Sequence, residues 1–153
     1  MTGIYNRTAF RDEIRNMAED DTENSYVFAM IDIDNFKNIN DNLGHVIGDL
    51  CLIEFAKILT TNCGTALPFR FGGDEFCILF KNSTLDNIIE ICEKIQHDFS
   101  KLELTKNDAL ALTASFGIAH HIKDMTISEL VVNTDKALYE AKTVKNSIRI
   151  FSE

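Results

Sequence analysis

Two pairs of carboxylates stand out by type and spacing. Asp32 and Asp34 flank Ile33 at the end of an apolar run, and Asp74 and Glu75 follow Gly72-Gly73. On an extended segment successive side chains alternate faces, so Asp32 and Asp34 would project to one side. Two acids delivered together lose solvation unless a divalent cation or open water compensates, and the residues alone leave both open. An EF-hand loop is excluded: counting from Asp32, Lys37 falls where the glycine belongs and Leu43 where the bidentate Glu belongs. At the second pair, two glycines let the backbone approach a ligand closely and expose both acids, as would an ordinary acidic turn.

The elements that must position these acids follow from periodicity. Tyr26-Val27-Phe28-Ala29-Met30-Ile31 is a continuous apolar run, the pattern of a buried strand, and it delivers Asp32-Ile33-Asp34 at its end. Residues 67–71 and 76–80 flank the Gly-Gly turn as a β-hairpin, and Pro68 predicts a short or irregular start to its first strand. A polar helix is expected over residues 6–20, with Phe10, Ile14 and Met17 on one face, packed at the edge of the domain. Residues 36–43 predict a short helix closed by Gly44, and Ile47, Cys51, Phe55 and Ile58 mark another. Leu85, Ile88, Cys92, Ile95, Phe99 and Leu102 form an amphipathic stripe capped by Thr84, so Asn82-Ser83-Thr84 reads as a turn and cap, not a glycosylation site. Alternation at Leu110, Leu112, Ala114 and Phe116 predicts a strand over residues 109–119, followed by a helix through Leu130, Ala137 and Ala141 and a closing strand over residues 148–151. The order α-β-α-α-β-β-α-β-α-β predicts an α/β (α+β) domain: one sheet with helices against it, at least partly antiparallel.

Composition sets the limits on function. The 153 residues fit one domain, with 45% hydrophobic and 25% charged residues, the balance of a folding globular chain. Fifteen Lys and Arg against 24 Asp and Glu give a net charge of -9, and no basic stripe gathers, so nucleic-acid polymers and anionic membranes are disfavoured. A nucleotide is still admissible where divalent cations bridge carboxylates to phosphates. Cys51, Cys63, Cys77 and Cys92 form no CxxC pair and read as buried reduced thiols. No signal core opens the chain and no apolar run approaches the roughly 20 residues of a membrane span, so a cytoplasmic domain without membrane contact is expected.

The paired acids resemble the two-carboxylate metal site of nucleotidyl-transferring palm domains. More specifically, Gly72-Gly73-Asp74-Glu75-Phe76 resembles the signature of the GGDEF domain of bacterial diguanylate cyclases, and residues 32–49 follow its DxDxFKxINDxxGHxxGD motif. Thr113 to Ala119 resembles the TxSxGIA strand and Asp135 to Lys142 the DxALYxAK helix, so the resemblance spans essentially the whole chain. It implies a palm-like nucleotidyl cyclase fold with a central, mostly antiparallel five-stranded sheet flanked by helices. It also implies condensation of two GTP into cyclic di-GMP and two pyrophosphates across a dimer of half-sites. Two Mg2+ per half-site are implied, with Mn2+ able to substitute: Asp32, the Ile33 carbonyl and Asp74 bind metal, and Glu75 supports the second ion. Asp74, Glu75 and Lys37 are the implied catalytic residues, Asp74 as candidate base. Asn40 and Asp49 would read the guanine edge and His45 line that pocket, with Asn35, Phe36, Lys142 and Lys145 completing the GTP site. The Asp49 carboxylate accepts from the N1–H and amine that guanine offers and adenine lacks, which favours GTP over ATP. Asp34, Asp41 and Ser115 are expected to be structural. The alternative is a silent member of the family that binds GTP or docks a partner without turnover.

Three departures from the pattern matter. Cys63-Gly64-Thr65-Ala66 stands where many members carry an RxxD product-inhibition site, so feedback through that stretch is not expected. After Lys142, Thr143-Val144-Lys145-Asn146-Ser147 replaces xxGRN, so Lys145 would substitute for a phosphate-binding Arg without its bidentate fork. The opening DxLTGLxNRR motif is cut by the start of the chain, so residues 1–153 are expected to be one domain of a longer protein with a sensory or receiver module in front.

Overall fold

The computed structural model describes residues 2–20, 23–106 and 110–153. Its centre is β1 (Tyr26–Ile33), whose every residue is buried, as an uninterrupted apolar run demands when both faces of a strand are covered. The hairpin of β2 (Leu67–Gly72) and β3 (Glu75–Lys81) pairs antiparallel on one side of β1, and β4 (Ala114–His121) pairs antiparallel on the other. The short β5 (Ile148–Ile150) joins β4 in parallel, giving the five-stranded order β2-β3-β1-β4-β5.

Alternate residues of the sheet feed two cores. Ala29, Ile31, Ile33, Ile78 and Phe116 face α3 (His45–Asn62) and α4 (Leu85–Ser100), meeting Phe55, Ile88, Cys92 and Phe99. Tyr26, Phe28, Met30 and Leu79 face α1 (Arg7–Ala18) and α5 (Ile127–Val144), meeting Phe10, Met17, Leu130 and Leu138. The short α2 (Phe36–Leu43) leaves the end of β1 and packs on α3. All four cysteines are free and buried, as expected from their apolar surroundings. Among the described residues no helix is long and apolar enough to cross a membrane.

Two expectations need correction. Of the strand placed at residues 109–119, Ala109 lies outside the described residues, and residues 110–113 are not strand. The cause is the length of the partner: β1 runs out at Ile33, opposite Ala114, and the chain then turns into α2. The irregularity expected at Pro68 is instead between Arg70 and Gly72, beside the turn. Because β2 is an edge strand, Pro68 needs no second ladder partner, and its pairing with Ile78 is regular.

Candidate functional site

β1 ends beside the β2–β3 turn, and the register sets Asp32 opposite Glu75. Gly73 adopts φ +54°, a left-handed conformation natural to glycine, and the Ile33 N–H donates to the Asp74 carbonyl at 3.4 Å. A residue not singled out in the sequence fixes this turn. Arg70 donates from both Nε (3.1 Å) and Nη2 (2.9 Å) to the Gly73 carbonyl, a planar fork on the peptide that precedes Asp74. An Arg beside a Gly-Gly turn was the available signal.

Asp32 is 6% exposed, and burial is the main reason its carboxyl is pushed up from 3.8 to about 6. The Asp74 carboxylate, within hydrogen-bonding reach, raises it further, while Lys142 pulls the other way. Lys142 Nζ stands 2.6 Å from Asp32 Oδ2, and that bond raises the lysine's own pKa. The lysine arrives from the last turn of α5, which lies unusually close to the sheet. A Cβ on Gly117 of β4 would meet the Leu138 nitrogen at 2.2 Å and the Thr134 carbonyl at 2.5 Å.

Asp34, expected to share the side of Asp32, is turned into a structural network, in keeping with the role expected for it and Ser115. Its carboxylate accepts from Thr113 Oγ1, Ser115 Oγ and the Asn146 N–H. Lys145, in the turn between α5 and β5, places Nζ 2.7 Å from Asn35 Oδ1.

Asn35 sits at φ +56° before α2 and makes no side-chain cap, and Gly44 leaves α3 without one too. The other three helices are capped by Asn6, Thr84 and Thr126. Uncapped first-turn N–H groups with a partial positive charge suit an anion, and here a lysine stands beside them. Across the α2–α3 pair, a Cβ on Gly48 would fall 1.8 Å from Asn40 Oδ1, so this glycine seats the Asn40 carboxamide next to the residue preceding Asp49. His45 and Asp49 are exposed at the start of α3. Phe36 is half-buried. Lys37 is exposed on the first turn of α2 and makes no ion pair among the described residues, so the structure does not join it to the carboxylates.

Among the described residues no group of three or more His, Cys, Asp or Glu side chains is close enough to hold a metal ion by itself. A buried Asp32 set against the half-buried Asp74 and a lysine cation is nonetheless the donor chemistry of Mg2+, which keeps several waters and takes phosphate oxygens rather than an all-protein cage.

The family model described as "Diguanylate cyclase, GGDEF domain" matches residues 1–147. Among curated proteins, the chain is 31% identical over 149 residues to diguanylate cyclase VdcA of Vibrio cholerae, covering 94% of this chain and 43% of that protein. It is 36% identical over 145 residues to diguanylate cyclase DgcM of Escherichia coli, covering 93% and 35%. The chain thus spans less than half the length of these relatives. Among solved structures, the GGDEF domain of DgcB from Caulobacter crescentus in complex with c-di-GMP superposes with a TM-score of 0.91 at 28% identity, covering 99% of this chain and 94% of that one. The palm-like fold is shared.

Proposed function

Because the chain belongs to the GGDEF family of diguanylate cyclase domains, we propose that it condenses two GTP into cyclic di-GMP, each of two facing domains presenting one nucleotide. The observation that carries this reading is the meeting of Asp32 and Asp74 beneath Lys142. In the reaction each 3′-oxygen attacks the other nucleotide's α-phosphorus and gives up its proton, and the bond to pyrophosphate breaks. Asp74 would take that proton as the base. Lys142 and Lys145 offset phosphate charge at the start of α2, with Asn35 and Phe36 in the same loop. Lys37, with Glu75, would act only once nucleotide is seated, since the free chain leaves it in solvent. Asn40 and Asp49 take the guanine edge, His45 beside them.

Asp32, the Ile33 carbonyl, Asp74 and Glu75 would hold Mg2+ or Mn2+, whose charge, when bound, polarises the phosphates. Residues 1–153 would act as one cytoplasmic domain of a longer protein, with a sensory or receiver module ahead of them. One chain holds half a site, so turnover requires a second copy and rises steeply with protein concentration. Incubating concentrated protein with GTP and Mg2+ should yield cyclic di-GMP; GTP bound but left unconverted would refute catalysis. The turn at Lys145, lacking the bidentate fork of an Arg, favours one second reading, a GTP-binding docking module, which the same result would support.

A further inference from the structure

Asp34 lies two residues beyond Asp32 but is bonded on all sides. Its Oδ2 accepts from Thr113 Oγ1 at 2.7 Å and from the Asn146 N–H at 2.8 Å, and its Oδ1 from Ser115 Oγ at 2.7 Å. Its own N–H donates to the Thr113 carbonyl at 2.9 Å. The donors belong to three separate segments: the residue before β4, β4 itself, and the α5–β5 turn. That turn is built from two residues at positive φ, Lys145 at +62° and Asn146 at +44°, and contains no glycine. Such conformations persist in non-glycine residues where surrounding structure enforces them. Here the bond from Asn146 to a buried carboxylate does so, and Lys145 Nζ comes to rest 2.7 Å from Asn35 Oδ1, beside the uncapped start of α2.

We propose that Asp34 is a positioning residue: by pinning Asn146 it fixes the α5–β5 turn and so holds the Lys145 ammonium where a nucleotide phosphate meets α2. This rests on the nucleotide reading above. A carboxylate is required because one oxygen takes two donors and the other a third, whereas an amide offers one accepting oxygen.

The test is a double-variant cycle on the full chain, with Mg2+-GTP and guanosine as ligands, measured by calorimetry at protein concentrations too low for pairing. Asp34→Asn and Lys145→Ala should each weaken GTP binding about tenfold, the loss expected for one charge-assisted contact, and leave guanosine binding unchanged. The double variant should bind no more weakly than Lys145→Ala alone. Should Asp34→Asn fail to fold, Thr113→Val removes a single donor and is expected to give a smaller loss, again confined to GTP. Additive losses, or equal losses for GTP and guanosine, would overturn the positioning role while leaving GTP binding intact. An unaltered chain that binds no GTP would overturn the nucleotide reading, and this inference with it.

Discussion

The two ends of β1 are built on opposite rules. At its start, Tyr26 donates its hydroxyl to Asp20, whose carboxylate also lies 3.8 Å from Lys81 Nζ, and Lys81 in turn stands over the Tyr26 ring. The neighbouring α5 begins with a complete capping box, Thr126 and Glu129 bonding each other's backbone N–H. At its end, Asp32 is buried against Asp74, α2 and α3 begin without side-chain caps, and Asn35, Lys145 and Asn146 adopt positive φ. Polar groups at the first end satisfy one another, whereas the second end sets one carboxylate against another and leaves two helix starts uncapped, at some loss of stability. That is the expected division between a structural edge and a site awaiting charge.

The contrast breaks most visibly at Asp74. Asp74→Ala should reduce cyclic di-GMP formation by roughly 10²–10³-fold. Because the variant relieves repulsion on Asp32, its melting temperature should rise by about 2–4 °C, seen by calorimetry. A fall in melting temperature with activity retained would reverse the assignment of the two ends. Gly117→Ala probes what joins them: its Cβ meets main-chain atoms of α5 that cannot swing aside, so denaturant titration should show a loss of about 1–3 kcal/mol, with Lys142 displaced from Asp32. Gly48→Ala collides with the movable Asn40 side chain, and Phe36 Cζ, at 3.5 Å, stays at ordinary contact distance. It should weaken GTP about tenfold in a binding titration and change stability little.

At the opposite end, Tyr26→Phe should cost about 1 kcal/mol at neutral pH and leave turnover unchanged. Burial and the bond to Asp20 push the Tyr26 phenol from 10.0 to about 12. Above pH 10 the unfolded chain therefore ionises this group while the folded chain does not, and the native protein loses stability as pH rises towards 12. The Phe variant has no such loss, so the gap between the two should close over that window, as urea melts at pH 8 and pH 11 would show.

Elements that answer to one physical signal are legible in the sequence. β1 was legible because burial on both faces forces an unbroken apolar run, and α4 because burial on one face forces a 3.6-residue stripe. The acids stand out because Asp32 lies at the end of β1 and Asp74 and Glu75 lie at the glycine turn between β2 and β3. Contacts between distant segments left no periodic trace. The Lys142 to Asp32 bond spans 110 residues and the Asn146 to Asp34 bond 112, and neither partner's neighbourhood in sequence announces the other. The start of β4 was misjudged because alternation at Leu110 and Leu112 records burial beside α4, where Leu102 and Leu104 also pack, and not pairing with a strand.

The bond between Lys142 and Asp32 also bears on how the protein waits between substrates. A tethered ammonium is never diluted: its local concentration at the carboxylate does not vary with the medium, whereas that of a dissolved ion does. An arriving cation must therefore compete with a resident one. On the proposed function, an ion already bound to triphosphate would bring the lysine an alternative anion to move to, and the exchange would be easier than for the bare ion. Fluctuations in free divalent salt alone should accordingly leave this end of the sheet as it is.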